Sequence, residues 1–421
     1  SQQRPNHHRS RRMKCFPHLC LILLASHVHA DPATPAPAPA AATEESGIRT
    51  GVDSRVLIPE DQVTLEAVEQ SIRRGVDYLV GKQNADGSFG GATRTKGLNI
   101  YAPLPGAHDA FLAGASTLAL AGLVDSHDDR PEVKKAIALG EQWSFDKLPK
   151  LRRADGTTTY NAWGHAYGLR AITRLYQSCP DDAARQSSLK NLAQQQVDLA
   201  NRYEDINGGW GYLDIYDGIH TQKPSGITTS FTSATMLLAM HEARETMGVK
   251  LDPKIISTTL ASIRLQQFPD FTYAYSHNHY LAPHGEINRR NGSLARSQAC
   301  NAALHAFDDP KITNEVLSTW CDNFLEFEKW LDHGRKKPRP HESTFKISGY
   351  FYFYGVYYYT ECAKHLPKEK QRQLAKGLAR IILTRQEKDG SWWDYPLYDY
   401  HQPYGTGYCL MALKWCREAM K

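Results

Sequence analysis

Acid–base chemistry in this 421-residue chain would fall to two carboxylates and two imidazoles, Asp109, His165, Asp399 and His401. Either type can take a proton from a substrate or return one, and a glycan hydrolase needs two carboxyl groups roughly 5–10 Å apart across its cleft. Each of the four stands within a few residues of the point where an apolar helix is expected to begin. His108, Asn161, Tyr350, Tyr354 and Tyr404 fall near the same starts and offer stacking surface and hydrogen bonds to a ligand. Two structural roles compete with these: Asp109, Asn161, Thr228 and Ser348 are types that cap helix N-termini, and His165 and His401 suit hydrogen-bonded core positions. Metal binding is not expected. His277 and His279, with His284 nearby, have no carboxylate or thiolate beside them. No cofactor motif is present.

The elements that would position these residues come from an internal repeat. An amphipathic segment is followed by a turn rich in Gly, Asp and aromatics, then by a segment apolar or small on nearly every side. Residues 66–82 lead through Gln83-Asn84-Ala85-Asp86-Gly87-Ser88-Phe89-Gly90-Gly91 to 108–124, and 133–148 through Asp155-Gly156 to 161–176. Residues 185–203 lead through Asn207-Gly208-Gly209-Trp210-Gly211 to 228–246; 253–267 and 312–333 lead through long connections to 293–307 and 348–365. The last unit runs from 369–385 through Gln386-Glu387-Lys388-Asp389-Gly390-Ser391-Trp392-Trp393 to 404–419.

A helix with one apolar face has one face to bury, whereas a helix apolar all round must be covered on every side. Alternation of the two types therefore predicts an all-α fold, an α/α toroid of six helix pairs with an outer ring around an inner one. Closing the ring removes the ends that an open stack has to cap. It also gathers the inner-helix N-termini, and the candidate residues near them, at one mouth. In Tyr350-Phe351-Tyr352-Phe353-Tyr354-Gly355-Val356-Tyr357-Tyr358-Tyr359 the aromatics surround the helix, so some are expected to line the lumen.

The Gln83–Gly91 and Gln386–Trp393 turns, with Tyr404-Gly405-Thr406-Gly407-Tyr408-Cys409-Leu410-Met411-Ala412-Leu413 after the second, resemble the repeats of the terpenoid cyclase and protein prenyltransferase superfamily, the squalene cyclases among them. The resemblance covers about residues 66–420 and implies the toroid. It does not bring the superfamily's chemistry. The acidic DxDD motif is absent, and Asp125-Ser126-His127-Asp128-Asp129 has the wrong spacing. Positions matching the prenyltransferase zinc ligands read Ser348, Tyr350 and Gly405. Leu139-Gly140-Glu141-Gln142 lacks the cysteine of the related thioester domains.

Met13 and Lys14 open onto the apolar run Leu19–Ala25 and a small-residue site at Val28-His29-Ala30, the layout of a secretory signal peptide. Residues 1–30 are thus upstream residues plus signal peptide, 31–46 a Pro/Ala-rich linker and 47–421 the toroid. Without Arg4, Arg9, Arg11, Arg12 and Lys14, 45 of the 50 basic groups face 45 acidic ones, so no nucleic-acid partner is implied. No later stretch is long and apolar enough to span a membrane, and a secreted or periplasmic location is expected. Six cysteines remain after residue 30, as disulfides or buried thiols.

These features lead to a secreted toroid that binds, and in one version modifies, an elongated small molecule or glycan in its central cavity. Two alternatives stay open: a polysaccharide lyase or glycoside hydrolase on the same scaffold, and a non-catalytic interaction module.

Overall fold

The computed structural model describes residues 56–96, 106, 108–152, 162–212 and 228–421. The expected signal peptide and linker, Asn161 and the Asp155-Gly156 turn lie outside the described residues. Among the described residues twelve principal helices alternate between two rings. The outer ones are α1 (Leu65–Lys82), α3 (Pro131–Lys147), α5 (Ala183–Arg202), α7 (Pro253–Leu265), α9 (Asn314–Asp332) and α11 (Lys368–Arg385). The inner ones are α2 (Asp109–Ser126), α4 (Ala162–Gln177), α6 (Ser230–Met247), α8 (Arg290–Ala306), α10 (Phe351–Ala363) and α12 (His401–Met420). Each inner helix packs on the next, and α12 returns to α2, so the inner ring closes. Among the described residues the only β pairings are isolated bridges. The fold is an α/α toroid.

Caps separate the rings. Thr64, Asp182, Asp252 and Thr313 accept backbone N–H groups at the starts of α1, α5, α7 and α9. The inner helices behave differently, and capping is not what the polar residues at their starts do. Asp109 is the first helical residue of α2, after His108, which makes no cap bond. The Thr228 hydroxyl is buried without a partner, and Ser348 accepts the backbone N–H of His341 at 3.1 Å.

Inner-helix hydroxyls instead hold the turns. The Phe89, Trp210, Tyr273 and Trp392 N–H groups donate to Ser116, Ser233, Ser293 and Thr406 at 2.9–3.2 Å. These four aromatics are fully buried between the rings. The three glycine-bearing turns also abut the next outer helix. A Cβ on Gly87 would lie 2.2 Å from the Leu139 carbonyl oxygen of α3, and one on Gly390 would lie 2.4 Å from that of Arg74 in α1. Both glycines have φ near 90°, where a side chain is disfavoured in any case. The Gly390 turn therefore seats the last unit against the first.

All six cysteines of the described residues are buried free thiols. No described helix is long and apolar enough to cross a membrane.

Candidate functional site

The N-terminal halves of five inner helices enclose a cavity of about 350 Å³. Ala110, Phe111, Gly114, Ala115 and Leu118 of α2 form one wall; Trp163 and Tyr167 of α4, Phe231 of α6, Phe351 and Tyr354 of α10, and Tyr404 and Tyr408 of α12 complete it. Connecting segments add Tyr212, Pro340, His341, Tyr350, Tyr395, Leu397 and Tyr400. The four-residue spacings Trp163/Tyr167, Tyr350/Tyr354 and Tyr404/Tyr408 put each pair on one helix face.

Eight tyrosines line this space, and every hydroxyl is engaged within the protein. Tyr408 bonds Tyr167, and Tyr212 bonds Tyr275, which bonds Tyr350 at 3.2 Å. The Tyr354 hydroxyl meets Thr235 and the Phe231 carbonyl, each at 3.1 Å. Tyr395 donates to the Pro338 carbonyl and Tyr400 meets His108 Nδ1. Tyr404 donates to Asp394. The cavity thus presents ring faces and edges more than free polar groups. Trp163 stacks on Tyr167 with centroids 5.7 Å apart, and Phe231 and Phe351 meet edge to face at 4.9 Å.

The C-terminal halves of the same helices carry an ionic plug. Arg170 is 1% exposed and bonds Glu242 and the Tyr357 hydroxyl at 3.1 and 2.6 Å. Arg174 pairs with Asp125 and Glu242, both at 3.0 Å. Burial works against the Glu361 carboxylate, but Lys364, Arg170 and Arg174 outweigh it and hold its pKa well below the usual range. Lumenal aromatics at one end and paired charges at the other show that these five inner helices share a direction.

The tyrosines chosen from sequence, Tyr350, Tyr354 and Tyr404, line the cavity. His108 sits behind that lining, against Tyr398 and Tyr400. The four acid–base candidates are elsewhere. His165 faces α5: its Nδ1–H donates to Gln196 at 2.8 Å and its ring stacks on Tyr203. His401 donates Nδ1–H to the Tyr398 carbonyl at 2.6 Å and packs edge-on against Trp393. Burial lowers both imidazole pKa values to about 4, so both are neutral at pH 7. Asp109 is exposed. Asp399 is half-buried near Lys82 and Lys96, with its pKa raised by burial.

His277 and His279 each bond a serine, Ser262 and Ser276, rather than one another. Among the described residues no three His, Cys, Asp or Glu side chains converge as a metal site would require. On the outer surface an open groove of about 760 Å³ lies between the Glu204–Gly208 turn and α7, with Ile206 and Leu265 exposed in it.

Two functional candidates escape the sequence reading. Asp394, behind Tyr404, follows a turn whose glycine and aromatics drew attention first. His341 lies in a long connection with no periodicity to single it out.

No protein-family model matches the chain, and neither does any curated protein. Solved structures do match it. A cellobiose 2-epimerase from Spirochaeta thermophila is 15% identical over 85% of this chain and 98% of its own, with a TM-score of 0.53. A family 76 glycoside hydrolase from a bovine Bacteroides thetaiotaomicron strain is 10% identical over 84% and 78%, with a TM-score of 0.50. A type II terpene cyclase from Scytonema, in complex with geranylgeranyl dihydroxybenzoate, is 14% identical over 84% and 99%, with a TM-score of 0.47. What the epimerase and the glycoside hydrolase share with this chain is the toroid.

Proposed function

We propose that the toroid is an exported binding protein for one elongated, largely apolar molecule of the isoprenoid class, held in the aromatic cavity. The observation carrying this reading is that all eight lining tyrosines spend their hydroxyls on protein partners, while the lining has no carboxylate among the described residues. Sugar-processing clefts combine aromatic platforms with convergent acids, and hydrolysis needs two of them. Asp109 and Asp399 supply none to this lining. An apolar chain needs only ring faces and methylene contacts, and gains roughly 25 cal/mol for each Å² withdrawn from water. A volume near 350 Å³ is at the lower end of the range for ligand pockets, about 300–1,000 Å³, and suits one short chain rather than a polymer. Export is supported by the Met13–Ala30 sequence alone.

Titration with farnesol, followed by tryptophan fluorescence, tests the reading. Saturable quenching that disappears in Trp163→Phe is expected, with no response to mannotetraose. A saturable response to the oligosaccharide and none to farnesol would replace this reading with the glycan one.

A further inference from the structure

His341 is set apart from the rest of the lining. It lines the cavity, and its Nδ1 lies 2.8 Å from the Lys346 carbonyl oxygen. A carbonyl can only accept, so Nδ1 carries the hydrogen and Nε2 keeps a lone pair. Among the described residues no group bonds Nε2, whereas every lining tyrosine hydroxyl has a partner. Trp163 Nε1–H also has no acceptor among the described residues, but it is a donor.

The backbone holds this arrangement in an uncommon conformation. His341 has φ 61°, a left-handed value that few non-glycine residues adopt, and its N–H is tied to Ser348. Such strain persists where the surroundings impose it and collects at ligand sites.

The electrostatic setting favours the neutral ring. Arg296 is 1% exposed, has no carboxylate partner among the described residues, and is bonded to the carbonyls of Gly292, Tyr273 and Ile287. Its guanidinium lies over the Tyr275 and Phe351 rings, and Tyr275 meets His341 edge to face. Burial first, and then the Arg296 charge, lower the His341 pKa.

We infer that His341 Nε2 is the subsite for the polar end of the ligand and accepts a hydrogen bond from it, so that the cavity selects an isoprenoid alcohol over the hydrocarbon or ether of the same chain. A hydroxyl head supplies the missing donor. An ether oxygen has none, and neither has a hydrocarbon. This assignment rests on the isoprenoid reading above and adds the head group to it.

The experiment compares farnesol, farnesyl methyl ether and farnesene on the full chain by tryptophan fluorescence. The wild-type protein should bind farnesol about tenfold more tightly than either other compound, the effect of one buried hydrogen bond. His341→Asn, in which asparagine tolerates the left-handed backbone, should remove that preference, so that the three compounds bind within about twofold of one another. Equal affinity of the wild-type protein for alcohol and ether would overturn the head-group assignment while leaving the isoprenoid reading intact. So would a farnesol preference that survives in His341→Asn. If none of the three binds, both the assignment and the isoprenoid reading fall. The comparison of the alcohol with its ether needs no variant, so it stands even if the substitution disturbs the loop.

Discussion

Tyr404 donates its hydroxyl to Asp394 Oδ1 at 2.5 Å, joining a cavity-lining ring to a carboxyl group with no solvent exposure. The other carboxyl oxygen accepts the Phe353 N–H at 2.9 Å, in the first turn of α10. The Asp394 carbonyl oxygen accepts the Lys336 N–H at 2.5 Å. One residue therefore links α12, α10 and the connection carrying His341. Burial pushes its pKa up to about 7, against the opposing hydrogen bonds from Tyr404 and Phe353.

That shift predicts a pH signature. Between pH 3.8 and 7 the folded state keeps a proton that the unfolded chain has lost, so this group's stabilising contribution is full at acid pH and disappears as pH rises through 7. Asp394→Asn does not titrate. Urea unfolding should show the stability of the wild-type protein relative to Asp394→Asn falling by about 3 kcal/mol from pH 4 to pH 8. A difference independent of pH would show that Asp394 is ionised throughout.

His165 should give the opposite slope. Its folded pKa of about 4 lies below the unfolded 6.5, so its neutral form supports the fold above pH 6.5 and that support is lost as pH falls towards 4. His165→Phe keeps a ring for Tyr203 but leaves Gln196 Oε1 without its donor. A cost of about 1–2 kcal/mol is expected at pH 8, and it should vanish or reverse by pH 5. Thermal melts at the two pH values decide the matter, and parallel losses at both would exclude the titration.

The architecture was legible because it is written in composition over whole segments. An apolar circumference along 108–124 forces burial on all sides wherever the exact end falls, and the observed inner helices begin within about three residues of the expected starts. Side-chain direction was less legible. His165 and His401 were placed at the mouth by distance along the chain, but helical rotation points the first at α5, and the Tyr398 carbonyl holds the second. The fourth turn was hidden by a substitution: Gln267-Phe268-Pro269-Asp270-Phe271-Thr272-Tyr273 repeats the geometry of Gln386–Trp392, with Asp270 and Asp389 each bonding the residue two positions on. Phe271, at φ 61°, stands where the motif has glycine.

That equivalence predicts unequal mutations at matching sites. Gly390→Ala would drive a Cβ against the Arg74 carbonyl at φ 89°, costing at least about 2 kcal/mol. Phe271→Gly relieves a left-handed side chain while losing half-buried surface, and should stay within about 1 kcal/mol of the wild-type protein. Chemical denaturation checks both. Equal costs would mean that the turns are not equivalent.

Gly114 gives a test of where the ligand sits. It lines the cavity on α2, and a Cβ there would meet Trp163 and Tyr167 no closer than 3.8 Å, an ordinary contact. Gly114→Ala should therefore stabilise the helix by up to about 1 kcal/mol and leave most of the cavity open. Gly114→Phe adds a ring to space that is otherwise empty, so it should keep the melting temperature within a few degrees and reduce farnesol binding at least tenfold. The pair separates occupancy from folding, because only the larger side chain fills the lumen. Binding unchanged in Gly114→Phe would move the ligand out of the toroid, with the groove beside Ile206 and Leu265 as the next place to substitute.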